Sequence, residues 1–96
     1  MSQYIVLGSF TDQGIRNVKE TSKRAKALSD LAKGMGVSVK EVYWTLGDYD
    51  LVLILEAQDD KAAASLMMKA GSLGNFKSQT LPAFNTNEID SILSKV

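Results

Sequence analysis

The sequence predicts an α+β fold, and three observations carry that expectation. Stretches of alternating or continuous apolar character take turns with stretches of helical period, glycine and aspartate clusters separate them, and their order reads β, α, β, β, α, β, α. With 96 residues the chain suits one domain over residues 1–96 and is too short for two independent cores.

The first strand is Tyr4 to Phe10, with apolar groups on both alternating faces. Thr11 and Asp12 supply oxygen acceptors for the amides of a helix start, and Gly14, Ile15 and Val18 form a short first turn. Thr21 or Ser22 then reads as a second N-cap, because Ala25, Leu28, Ala32 and Met35 recur on one helical face. The first helix is therefore expected to break near Thr21 and to stop at Gly34 or Gly36. Val37 to Leu46 is rich in residues that suit a pleated surface, and the Gly47-Asp48-Tyr49-Asp50 cluster separates it from Leu51 to Leu55, which predicts an antiparallel hairpin. Asp59 or Asp60 caps a second helix that ends at Gly71 or Gly74. Asn75 to Phe84 forms the fourth strand, and Pro82, which has no amide for a ladder, belongs at an edge or a bulge. Asn85 and Glu88 fit a capping box for a third helix with the stripe Ile89, Ile92, Leu93 and Val96.

This order is that of a ferredoxin-like βαββαβ unit with a C-terminal helix, in which the helices lie on one face of a four-stranded antiparallel sheet. Leu51, Leu53 and Leu55 alternate with Val52 and Ile54, so the other face is apolar too. Leaving it wet is costly in a small domain, since burying one such side chain is worth about 1.5–3 kcal/mol. A second copy packed sheet to sheet would cover it; the C-terminal helix folded across it is the competing arrangement.

Lysine plus arginine and aspartate plus glutamate number 11 each, so the net charge is zero. Nucleic-acid binding draws on a basic excess, and none is present; the stretch Lys19, Lys23, Arg24 and Lys26 reads as a solvated helix face. Cysteine and histidine are absent, which removes disulfides, thiolate chemistry and the common zinc and iron ligands, as well as the side chain best suited to proton transfer near neutral pH. No cofactor or metal is expected. The longest apolar run, Leu51 to Leu55, is far short of a membrane span of about 20 residues, and the N-terminus has no leader pattern, so a cytoplasmic location is expected.

The segments Tyr4-Ile5-Val6-Leu7, Thr11-Asp12-Gln13-Gly14-Ile15-Arg16-Asn17, Glu41-Val42-Tyr43-Trp44-Thr45-Leu46-Gly47-Asp48-Tyr49-Asp50, Gly71-Ser72-Leu73-Gly74-Asn75 and Thr80-Leu81-Pro82-Ala83-Phe84 resemble the GYD domain family, whose name reflects the residues that here are Gly47, Tyr49 and Asp50. The resemblance implies a dimeric α+β barrel, two ferredoxin-like sheets closing face to face, and no particular reaction. The run Gly47 to Leu53 also looks like the hairpin of the effector-binding domain in leucine-responsive regulators, where small ligands bind between subunits.

Five residues are candidates for a ligand site: Tyr43, Trp44, Tyr49, Asp50 and Arg16. Asp50 suits a ligand amine or a base role; its structural alternative is to accept amide hydrogen bonds in its own turn. Tyr43, Trp44 and Tyr49 suit a pocket wall and equally a core or subunit interface. Arg16 suits an anion clamp or a surface ion pair. Together they point to a homo-oligomeric module that binds a small metabolite without catalysis and needs neither nucleic acid nor membrane. The alternative is a cofactor-independent isomerase or monooxygenase on a small aromatic or lactone substrate, with Asp50 or Tyr49 moving the proton.

Overall fold

The structure, a computed structural model, describes residues 1–96. Four strands, β1 (Ser2–Phe10), β2 (Val37–Trp44), β3 (Leu51–Ala57) and β4 (Phe76–Ala83), form one antiparallel sheet in the order β2-β3-β1-β4. This is the ferredoxin-like arrangement: the two continuous apolar strands, β1 and β3, take the centre, and the Pro82-bearing β4 takes an edge. A bulge between Val39 and Glu41 shifts the register of β2 against β3, so Val37, Val39, Val42 and Trp44 all share the helix-covered face.

The first helix breaks just before Thr21, as expected, so that four helices occur. α1 (Asp12–Arg16) is capped by Thr11, whose hydroxyl accepts from the Gly14 amide at 3.1 Å. A 3₁₀ turn over Val18–Glu20 leads into α2 (Thr21–Gly34). Thr21 and Ser22 are not the N-cap of α2. Glu20 holds that position without a side-chain cap bond, while Thr21 Oγ1 accepts from the Trp44 indole N–H at 3.0 Å. α3 (Asp60–Ser72) starts at the Asp59 cap, which accepts from the Ala62 amide at 3.0 Å. The expected capping box opens α4 (Thr86–Leu93): the Glu88 amide donates to Asn85 Oδ1 at 2.9 Å, and the Asn85 amide donates to Glu88 Oε1 at 3.0 Å.

α2 packs on β2, and α3 packs on β3 and β4. Between them and the sheet lies the core, in which Tyr4, Val6, Leu53, Leu55 and Leu66 are the largest fully buried side chains. Following the strand register, the opposite face carries two apolar rows. Tyr43, Val52 and Leu7 form one with Gln79; Ile54, Ile5 and Leu81 form the other with Glu41. None of these side chains is fully buried.

α4 does not cover that face. It makes no extensive packing on any strand or helix of its own chain, and every residue from Thr86 to Val96 except Glu88 is exposed. The radius of gyration is 14.3 Å, where a compact chain of this length would have about 12.5 Å. A projecting helix accounts for the excess. Its apolar stripe of Ile89, Ile92, Leu93 and Val96 stands in solvent.

Candidate functional site

The β2–β3 hairpin is held to β1 by hydrogen bonds from its loop. The Thr45 amide donates to the Asp50 carbonyl at 2.8 Å and the Thr45 hydroxyl to the Tyr49 carbonyl at 2.6 Å, which closes the loop on itself. Gly47 turns the chain with a φ of 107°, a conformation that a Cβ strongly disfavours. Asp50 then joins the loop to the sheet: its amide donates to the Gly8 carbonyl at 2.8 Å, and its Oδ2 accepts from the Phe10 amide at 2.8 Å. The carboxylate thus serves an amide of a neighbouring strand and not of its own turn.

The other candidates separate across the sheet. Tyr43 is on the open face and donates to Glu41 Oε2 at 3.2 Å; this hydrogen bond and the charge of Glu41 hold its phenol above the usual tyrosine range. The Tyr49 hydroxyl accepts from Gln79 Nε2 at 3.4 Å on that same face. Arg16 is exposed in the last turn of α1 and lines neither of the two hollows described below. Trp44 alone points to the helix side, where it borders a cavity.

That cavity, about 160 Å³, lies between α2 and the sheet. Leu51, Leu53 and Ala70 form its buried floor, and Trp44, Ala27 and Leu73 stand at its exposed rim. Of its 14 lining residues 11 are hydrophobic, and the other three are Thr21, Arg24 and Asn75. α2 lines the cavity with the small Ala25 and Ala27 beside its larger Leu28 and Leu31, which leaves room against the sheet. Arg24 donates through Nη2 to the Asn17 carbonyl at 2.7 Å. No carboxylate lies within 4 Å of its guanidinium, and no Asp or Glu lines the cavity.

Sequence reasoning placed Arg24 on a solvated helix face and missed it as a wall residue. The signal was available in its spacing: Thr21, Arg24, Leu28 and Leu31 recur three and four apart on the same face of α2. Phe10 and Phe76, paired across β1 and β4, close the cavity at the sheet end.

A second hollow, larger at about 480 Å³ and more open, lies between α3 and β4, bordered by Met67, Met68, Ser78, Thr80 and Pro82. Beneath it the buried Tyr4 donates its hydroxyl to Asp60 Oδ1 at 2.6 Å. That hydrogen bond, with burial and the charge of Asp60, raises the Tyr4 phenol above its ordinary value.

The sequence model of the GYD domain matches residues 4–93. The chain belongs to the GYD domain family. Among its relatives is a Thermus thermophilus protein named glutamine synthetase and cystathionine beta-lyase binding protein, 36% identical over 84 residues, which are 86% of this chain and 88% of the relative. The crystal structure of TTHA0845 from the same organism is similar over 90% of this GYD chain and 96% of its own, with 25% identity and a TM-score of 0.58. The leucine response regulatory protein LrpA of Mycobacterium tuberculosis matches 88% of this chain at 14% identity and a TM-score of 0.67. This chain spans about half of LrpA, 51%, and that likeness concerns the fold.

Within this GYD domain the name-giving hairpin contributes Trp44, Leu51 and Leu53 to the cavity, while its loop meets β1 and the open face. No helix is long and apolar enough to cross a membrane.

Proposed function

We propose that this GYD protein is a homo-oligomeric module, working as one domain over residues 1–96 in the cytoplasm, that binds a small metabolite without catalysing a reaction on it. The observation that carries the reading is the apolar cavity between α2 and the sheet, with its few polar groups gathered at Thr21, Arg24 and Asn75; concave apolar sites with sparse polar groups are the usual form of small-molecule pockets. The uncovered rows of Tyr43, Val52, Leu7, Ile54, Ile5 and Leu81 support the oligomer. Two such faces closed on each other would bury them and complete a dimeric α+β barrel.

The test has two parts. Light scattering after size exclusion should give the mass of a dimer or larger, and Ile54→Lys on the open face should shift it to a monomer that keeps its helical and strand signal. A wild-type chain that is monomeric would remove the oligomer. Thermal shift with a panel of small apolar and aromatic metabolites should find stabilisers; none across the panel would remove the ligand.

The name of the Thermus relative favours a second reading, in which this protein docks on other proteins, metabolic enzymes among them. Exposed α4, with its unpartnered apolar stripe, offers surface for that. Co-elution with purified glutamine synthetase or cystathionine beta-lyase, lost on removing α4, is the result this reading requires.

A further inference from the structure

The polar groups of the cavity are one-sided in charge. Arg24 brings a guanidinium with five N–H donors, of which one finds an acceptor in the chain, the Asn17 carbonyl. Thr21, one turn earlier on the same face of α2, accepts from Trp44 and keeps its own proton for donation. Opposite them the wall is apolar, and no acidic side chain is available to receive an ammonium group. The volume sets the size of what enters. The cavity measures about 160 Å³, and an apolar cavity of about 150 Å³ accepts benzene.

From these features we infer that the cavity takes a small monocarboxylate whose apolar body is the size of a single six-membered ring or a short branched chain, and that it discriminates against the corresponding amino acid. The inference rests on the small-metabolite reading above and names its ligand class. The Arg24 guanidinium meets the carboxylate, an ion pair strengthened by the apolar wall beside it and suited to the planar fork of arginine. The ring lies on Leu28, Leu31, Leu51 and Phe76, with the Trp44 indole at its edge. A zwitterionic amino acid of the same body would have to strip water from its ammonium group with no carboxylate to compensate, which costs affinity. A neutral alcohol of the same size would keep the packing and lose the ion pair.

Trp44 is the only tryptophan of the chain, so intrinsic fluorescence reports on this cavity. The experiment titrates the full chain with four probes of one body size, phenylacetate, benzyl alcohol, L-phenylalanine and benzylamine, and follows Trp44 emission and melting temperature. Phenylacetate should bind most tightly, about tenfold or more ahead of the other three. Arg24→Gln, a change on a half-exposed helix position, should remove that preference and leave benzyl alcohol unchanged. Equal binding of phenylacetate and benzyl alcohol, or an Arg24→Gln variant that keeps the preference, overturns the carboxylate class while the small-ligand reading stands. Stronger binding of L-phenylalanine than of phenylacetate overturns it as well. No response of Trp44 or of the melting temperature to any probe removes the cavity as a ligand site altogether.

Discussion

The main-chain amide of Phe10 donates to Asp50 Oδ2 at 2.8 Å, and the amide of Asp50 returns a bond to the Gly8 carbonyl at 2.8 Å. One acidic residue thereby joins the hairpin loop to the end of β1 through both its backbone and its side chain. Asp50→Ala leaves the Phe10 amide without that acceptor and should lower stability by about 1–3 kcal/mol. Asp50→Asn keeps an oxygen in place and should cost clearly less. Urea unfolding of the two variants beside the wild type measures this, and equal losses would assign the effect to the charge and not to the acceptor.

Gly14 is buried in α1 against the backbone of Asn75, and a Cβ there would fall on the Asn75 carbonyl oxygen. That carbonyl also accepts from the Thr11 amide at 3.2 Å, so α1 and the start of β4 cannot simply part. Gly14→Ala should destabilise by about 1–3 kcal/mol through overpacking. Gly34→Ala meets nothing within 4 Å of its Cβ and serves as the control; similar melting temperatures for the two variants would contradict the close approach.

Tyr4 holds its proton more tightly when folded than when unfolded, because its hydroxyl donates to Asp60. The unfolded chain releases the phenolic proton at about pH 10, before the folded chain does. Stability from this group is therefore complete below about pH 10 and falls as pH rises through the folded value. Urea midpoints measured on either side of that pH should drop more for the wild type than for Tyr4→Phe, since the raised Tyr43 is common to both. Parallel curves would show that the Tyr4–Asp60 bond does not persist in solution.

α4 contributes little to the fold of its own chain, because nearly all of it is exposed. Deleting Thr86–Val96 should change the urea stability by less than about 0.5 kcal/mol. A larger loss would mean that α4 is seated on another copy.

Much of the architecture was legible because local patterns agreed with one another. The alternation in β1 and β3, the Asp59 cap and the reciprocal Asn85 and Glu88 bonds each depend on residues near in sequence. The start of α2 departs from expectation because Thr21 has a stronger claim on it from a distance, the indole of Trp44, than from the helix end it was expected to cap. Of the candidate site, Trp44 was found through its place in an aromatic hairpin. Arg24 was passed over as one charge in a basic run, since whether a helical arginine faces water or a cavity depends on what packs beside it.

By itself the sequence determined the order of elements and the two apolar faces of the sheet, which follow from periodicity and short-range chemistry, and it carried the segments that resemble the GYD family. Tertiary structure alone decided that Tyr43 and Tyr49 lie on one face and Trp44 on the other, that Asp50 serves β1, and that α4 stands clear of the sheet. The reason is physical: successive strand residues point to opposite sides, a bulge between Val39 and Glu41 resets which side, and the partners of a polar group are chosen by distance in space.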